Sequence, residues 1–405
     1  MPTDTKSTDK SAPASESLYE SLGASASKAG LHSALAAAGV ADHSGLFAKV
    51  NQDLAFDEEY YSFLHCDGAG TKTLAAYLMA TETRDPSWFA GLADDALVMN
   101  LDDVYCLGKP SALLLANTIA RNARIVTDEA LQVIINRYRE LVESLGALGI
   151  KIELSGGETA DCGDTVRTLV VDAVLAGRIR KSAIIDPARI VPGDVIVGFS
   201  STGKASYETR NNSGIGSNGL TLARHALMSA YYREKFPEAG DGERSSSNSY
   251  LGKYRLTETP AELGMRVGEA LLSPTRSYAP ILNEVYSTLG PEIHGVIHVT
   301  GGGLTKVSRF GPLNNQYVKD RPFPTPPLFK LIQKSAAVSW REMYQVFNMG
   351  QRLEIYLPAD SAAQVISIAS KFQVAAQIIG SVKERNPSLN EPRVVVSSEN
   401  GEFEY

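Results

Sequence analysis

Residues 65–73 read HCDGAGTKT, and the reading of this run decides how the first half of the chain is built. It follows an apolar-alternating segment, YSFLHC, which predicts a strand over 61–66 running into a glycine-broken turn. Asp67 and Lys72 flank Gly68 and Gly70, so a sharp turn can bring amide groups, a cation and a carboxylate together, as magnesium-bound phosphate requires. A plain strand-to-helix turn with a solvated Asp and Lys reads the same way. The run is not a P-loop, because GxxxxGK[ST] sets the lysine directly after its glycine and here Thr71 intervenes.

Two more acidic motifs follow. LADDALVMNLDDVYCLG predicts a helix over 88–106, on which Asp95, Asp102 and Asp103 project from one side at i, i+7 and i+8. Stacked carboxylates repel unless something positive sits among them, and Mg²⁺ binds through one or two carboxylates plus phosphate oxygens. A solvated acidic face with nearby arginines is the other reading. SGGETADCGD, 155–164, follows the short strand KIEL and predicts a flexible acidic loop carrying Glu158, Asp161 and Asp164, placed where α/β folds bind ligands.

Around these motifs strands and helices alternate. Strands are expected at 112–119, fully buried, and at 166–179, with a helix over 128–148. The segment KSAIIDPARIVPGD, with two prolines and a glycine, predicts a domain boundary near residue 186. Beyond it come the strand VIVGFS, a helix from near Ser217 past His225, and another near Tyr278. The strand IHGVIHV leads into TGGG at Thr300, and RLEIYLP, a helix over 362–372, VAAQIIGSV and PRVVVSS complete the pattern. The fold class is therefore α/β of the α+β type, with two mixed domains, 19–185 and 186–405. Residues 1–18, rich in Ser, Pro, Lys and acids, are expected to form a disordered tail, and GDGERSSSNSYLGKY a surface excursion.

Bulk properties bound the function. The chain has 405 residues, 43% hydrophobic and 21% charged, with a net charge of -7, which argues against surfaces built for nucleic acid or anionic lipid. Cys66, Cys106 and Cys162 fall in no metal or disulfide spacing, and no apolar run nears the ~18 residues of a membrane span. No nucleic-acid or membrane partner is expected, and a reducing cytoplasm fits. GIGSNG, 214–219, satisfies GxGxxG but begins 14 residues past Ser200, where the preceding strand ends, so a dinucleotide fingerprint is not expected. What remains there, and at TGGG, is a glycine-rich start suited to an anion, or simple helix capping.

HCDGAGTK, the MNLDD helix, SGGETAD, GSNGLTLAR, LSPTRSY, IHVTGGG and EMYQVFNMG, in this order, resemble the AIR synthetase (phosphoribosylformylglycinamidine cyclo-ligase) family from about Tyr19 to the C-terminus. The first three motifs are shared with a wider ATP-binding superfamily; LSPTRSY and EMYQVFNMG point to the cyclo-ligase. The resemblance implies N-terminal domains paired in a homodimer through a shared strand barrel, with ATP near that interface. It implies Asp67, Asp103 and Glu158 as Mg²⁺ ligands, and Gly68, Gly70, Thr71, Lys72 and Gly157 beside them around ATP. Asp95 would support the acidic helix. Ser217, Asn218, Gly219, Arg276, Thr300, Gly301, Gly302 and Gly303 would address a phosphoribosyl substrate. Lys72, Asp103 and His298 would carry the catalysis of an ATP-dependent ring closure. Two departures stand out: Asp102 replaces a usual asparagine, which could alter metal affinity, and SYETRNNSGIGSNG replaces a shorter loop that contains a histidine. A small-molecule kinase of the same superfamily, or a non-catalytic paralogue, are the alternative readings.

Overall fold

The computed structural model describes residues 17–24, 29–39, 45–240 and 249–405. Most of the expected N-terminal tail and most of the polar excursion after Ala239 lie outside these residues. Ser17 and Leu18 lie within them, and there the tail expectation is corrected. Ser17 caps the helix Leu18–Ser21 and its hydroxyl donates to Glu342 Oε1 at 2.6 Å, which docks this turn on the C-terminal domain.

Twelve strands among the described residues form two sheets. β1 (Asn51–Gln52), β2 (Tyr60–Gly68), β3 (Ala112–Arg121), β4 (Glu153–Asp161) and β5 (Leu169–Arg180) make a five-stranded sheet in the order β1-β2-β5-β3-β4. Only β3 and β4 run parallel. The helices Gly91–Tyr105 and Asp128–Ala147 belong to this half, and the first packs on β2 and β5. β3 alternates buried and exposed positions rather than being buried on both sides, because only one face of the sheet is covered. The bare face carries Leu64, Leu114 and Val170, which are 67%, 44% and 40% exposed. Leu64 and Leu114 lie in one cross-strand row, both paired with Ala176 of β5.

The second sheet holds β6 (Val195–Ser200), β7 (Gly295–His298), β8 (Asn315–Lys319), β9 (Gln351–Leu357), β10 (Ala376–Glu384), β11 (Val394–Ser398) and β12 (Gly401–Glu404), in the order β12-β11-β8-β10-β6-β9-β7. Every residue of β9 is buried, polar ones included. There Glu354 meets Lys319 of β8 at 2.6 Å, with both side chains fully shielded and Tyr356 and Gln351 also donating to the carboxylate. The sheet is almost wholly antiparallel, so GIGSNG opens no dinucleotide-binding βαβ unit; it lies in the loop between Ser200 and the helix Leu220–Leu227. No helix among the described residues is long and apolar enough to cross a membrane.

The acidic run SGGETADCGD departs from its expected loop. Residues 153–161 continue as β4, because β3 offers a parallel ladder from Leu114 to Arg121 that pairs every one of these backbone groups or its neighbour.

Candidate active site

The quoted run is a strand, a turn and a helix start. β2 extends to Gly68, Ala69 donates its amide to Val171 O at 2.9 Å, Gly70 adopts a positive φ of 56°, and the helix Lys72–Thr83 begins at once. Gly68 is obligatory: a Cβ there would stand 1.8 Å from Asp172 Oδ1 on the neighbouring β5. Asp67 Oδ1 accepts the Gly68 amide at 2.7 Å, which fixes the carboxylate at the strand end.

Three of the four carboxylates on the helix Gly91–Tyr105, those of Asp95, Asp102 and Asp103, take different tasks. Asp95, fully buried, accepts from Lys72 Nζ at 2.8 Å and from the Thr275 amide and hydroxyl at 2.9 and 2.6 Å. Asp102, also fully buried, accepts from Ser277 Oγ at 2.7 Å and from the Tyr278 amide at 3.0 Å, just before the helix Ala279–Leu289. Burial pushes the Asp102 carboxyl above its usual range, and His298, Arg352 and these donors oppose the shift. Asp95 and Asp102 therefore tie the acidic helix to the LSPTRSY segment. The oxygens of Asp102 are committed to Ser277 and Tyr278 of the C-terminal domain.

Asp103 alone joins a ligand-like cluster. His298 Nδ1 donates to Asp103 Oδ1 at 2.7 Å, and His65 Nε2 stands 3.5 Å from Oδ2. Asn100 sets the state of His65. Its amide nitrogen donates to the carbonyls of Asp67, Ala96 and Ala173, so its oxygen must face His65 Nδ1, at 2.9 Å. With an acceptor at each nitrogen, the imidazole is favoured as a cation. Burial opposes that charge, but Asp103, Asn100 and Asp67 carry the His65 pKa above its ordinary value. Burial would raise the Asp103 carboxyl, yet Lys306, His298 and His65 together hold it well below the usual carboxylate range. Lys306 donates to Thr300 Oγ1 and its ammonium lies 4.7 Å over the Phe47 ring. His298 is fully buried and its Nε2 has no partner among the described residues.

The glycine loops stand beside each other. A Cβ on Gly301 would approach Asn218 Nδ2 at 3.9 Å, so TGGG and SNG form adjoining walls. Gly303 has room for no side chain, since a Cβ would meet Tyr344 O at 2.2 Å. Ser217 Oγ lies 3.2 Å from Thr275 Oγ1, and Gly219 enters the helix Leu220–Leu227 at φ 74°. Behind this loop, Asn348 of the FNMG run donates to Gly214 O at 2.8 Å and accepts from Ser201 Oγ and the Gly350 amide at 2.9 Å each.

Four expected ligand residues are placed differently from the expectation. Lys72 is 1% exposed and its ammonium is saturated by Asp95, Gly216 O at 3.1 Å and Ser273 O at 2.6 Å, so it joins the domains instead of facing open space. Arg276, 3% exposed, spends its guanidinium on Glu208 and the carbonyls of Ser200, Thr202 and Gly203. Gly157 and Glu158 lie within the exposed edge strand β4, opposite Asn117 and Thr118. In the sheet order β4 is three strands from β2, roughly 14 Å at the usual strand spacing. Among the described residues no three His, Cys, Asp or Glu side chains converge as a metal site. The donor set nevertheless fits Mg²⁺ through Asp67 and Asp103, since one or two carboxylates are its common protein share. His65 and Lys306 were missed from the sequence; the only signal for them is their two- and six-residue offsets from Asp67 and Thr300.

Residues 42–179 match the family described as AIR synthase related protein, N-terminal domain, and 191–389 its C-terminal domain. The chain is 31% identical over 325 residues to the phosphoribosylformylglycinamidine cyclo-ligase of Methanocaldococcus jannaschii, covering 80% of this chain and 79% of that protein. It is 30% identical to the one of Pyrococcus furiosus, covering 80% of each. Among solved structures, thiamine monophosphate kinase from Aquifex aeolicus shares the fold at TM-score 0.53 and 11% identity, over 94% of this chain and 99% of that one. Thermotoga maritima PurL, in complex with FGAR, shares it at TM-score 0.51 and 15% identity, over 88% of this chain and 46% of PurL, so the chain spans under half of that protein. With both domains matched and relatives of this identity covered for most of their length, the chain belongs to the AIR synthase family and is a ligase of the phosphoribosylformylglycinamidine cyclo-ligase type.

Proposed function

We propose that the chain closes the imidazole ring of formylglycinamidine ribonucleotide at the expense of ATP, giving 5-aminoimidazole ribonucleotide, ADP and phosphate in purine biosynthesis. The observation that carries this reading is the Asp103–His298 contact, which brings the superfamily's acidic helix and the TGGG strand end of the other domain to one point. Asp67 and the turn after it would receive the triphosphate, and the SNG and TGGG loops the ribose phosphate. Mg²⁺, held by Asp67 and Asp103, would neutralise phosphate oxygens during transfer.

In this scheme the formyl amide oxygen takes the γ-phosphoryl group, forming an iminophosphate. The amidine nitrogen that bears the ribosyl group attacks the same carbon, loses its proton, and phosphate leaves with the original oxygen. His65 and Lys306 add positive charge beside Asp103, and His298 holds the Asp103 carboxylate through Nδ1. Lys72 and Asp95 brace the cleft from beneath by fixing the 213–216 loop and Ser273. The bare apolar face around Leu64 and Leu114 and the open edge β4 support a homodimer through the N-terminal sheet. The long strand β5 does not supply that edge, since β2 and β3 pair with it on both sides.

An assay with formylglycinamidine ribonucleotide, ATP and Mg²⁺ tests the reading by following the aromatic amine product. ATP-dependent formation of that amine is expected. Phosphate transferred to a small molecule and retained there would instead favour a kinase.

A further inference from the structure

A second concave site lies where both domains meet the segment that joins them. Its cavity, about 480 Å³, is bounded by Lys109 after the acidic helix, by Ser182, Ile184 and Arg189 of the joining segment, and by Tyr286 and Pro291 of the C-terminal domain. None of the cleft residues described above lines it. Its walls hold two cations and no Asp or Glu, in a chain whose net charge is -7.

Lys109 Nζ donates to Ser287 Oγ at 3.2 Å, and Arg189 Nη2 to Pro291 O at 2.6 Å; among the described residues neither forms an ion pair. Both side chains are exposed, so keeping them charged costs little, while their positions on two sides of one cavity make it locally basic. Ile184 and the Tyr286 ring supply an apolar flank, because the Tyr286 hydroxyl is committed to Tyr105 O at 2.5 Å. The volume far exceeds one phosphate ion and falls in the small-ligand range of about 300–1,000 Å³.

We propose that this pocket binds a phosphomonoester with a ring-bearing body, of nucleoside monophosphate size. Arg189 engages two phosphate oxygens through its planar fork, Lys109 adds a point charge, and the body lies against Ile184 and Tyr286. Because the walls come from both domains and their connection, an occupant links all three. The site does not depend on the ring-closure reading.

Equilibrium dialysis with adenosine monophosphate, and separately with inorganic phosphate, compares the full-length protein with the double variant Lys109→Glu/Arg189→Glu and with Lys109→Ala/Arg189→Ala. Both residues are exposed, so folding should survive, as a melting curve verifies. The wild type should bind one equivalent of adenosine monophosphate that either variant loses or binds at least about tenfold more weakly, a change of about 1.4 kcal/mol. Inorganic phosphate should compete, but more weakly than the nucleotide. Equal stoichiometry and Kd in wild type and folded variants would overturn the proposal. So would phosphate binding as tightly as the nucleotide, which would leave no role for the body.

Discussion

Lys72 and Asp95 form an ion pair that water does not reach, and its ammonium also bonds two carbonyls of the C-terminal domain. Burial lowers the Lys72 pKa, and Asp95 opposes the shift. Removing one partner leaves a buried charge alone, so Lys72→Ala should cost about 3–5 kcal/mol of unfolding free energy, measured by urea titration. Lys72→Met with Asp95→Leu should cost clearly less, since it removes both charges; equal losses would mean the pair is not what matters. Asp103→Asn should act differently: the fold persists, Mg-ATP affinity drops, and kcat/KM falls by about 10² or more, as for loss of a group acting in proton or charge handling. Calorimetric titration that finds unchanged Mg-ATP affinity in a folded variant would remove Asp103 from the nucleotide's surroundings. The sequence displayed these charges but not their partners. Lys72 and Arg276 both read as phosphate ligands, and only tertiary contacts from segments about 140 and 70 residues away reveal that each is saturated within the protein. Asn100, which orients His65, lies within the MNLDD run, but nothing in the sequence marks it as the partner of His65.

At the level of elements, strands and helices with clear periodicity were legible. VIVGFS is β6 as expected, and the helices Asp128–Ala147 and Ala362–Lys371 fall within a residue of their expected bounds. SGGETAD failed because glycines signal a turn locally, while the parallel ladder with β3 is a long-range fact. The helices Pro327–Ala336 and Trp340–Val346 were not anticipated, their starts being marked mainly by Pro327 at the first turn and the Ser339 cap. The glycine loop 213–219 rests on Asn348, so Asn218→Ala, which leaves that support intact, should raise KM for the ribonucleotide and leave KM for ATP nearly unchanged. A rise in KM for ATP alone would reverse the assignment of the loops. The helix Leu220–Leu227 offers a pH test. Burial and the adjacent Arg224 push the His225 pKa down to about 3, and its Nδ1 accepts the Tyr250 amide at 3.0 Å. The folded protein thus holds this imidazole neutral, whereas the unfolded chain protonates it near pH 6.5. Stability from this residue is full above that pH and is lost as pH falls toward 3, by up to about 1.4 kcal/mol per unit. His225→Gln should lose roughly 2 kcal/mol less than the wild type between pH 7 and 5 in denaturant titrations; identical losses would show that His225 stays neutral in both states.

On the scale of the whole molecule, two sheets meet through the acidic helix, whose Asp95, Asp102 and Asp103 each contact the C-terminal domain. That junction is why a mixed α/β chain of two domains could be read from motif order, while the closure between them could not. The uncovered face of the first sheet is the other whole-molecule feature, and the bulky apolar residues on it predict a dimer at micromolar concentration. Light scattering of Leu64→Asp/Leu114→Asp should give the monomer mass, with the wild type at twice that value. A monomeric wild type would leave the face unexplained. The central claim is ATP-driven ring closure through transfer of the formyl oxygen to phosphate, and it is tested most directly with formylglycinamidine ribonucleotide carrying ¹⁸O in the formyl group. Incubated with ATP, Mg²⁺ and the protein, it should yield 5-aminoimidazole ribonucleotide with one ¹⁸O in each inorganic phosphate released; unlabelled phosphate, or ATP consumption without the aromatic amine, would contradict the account.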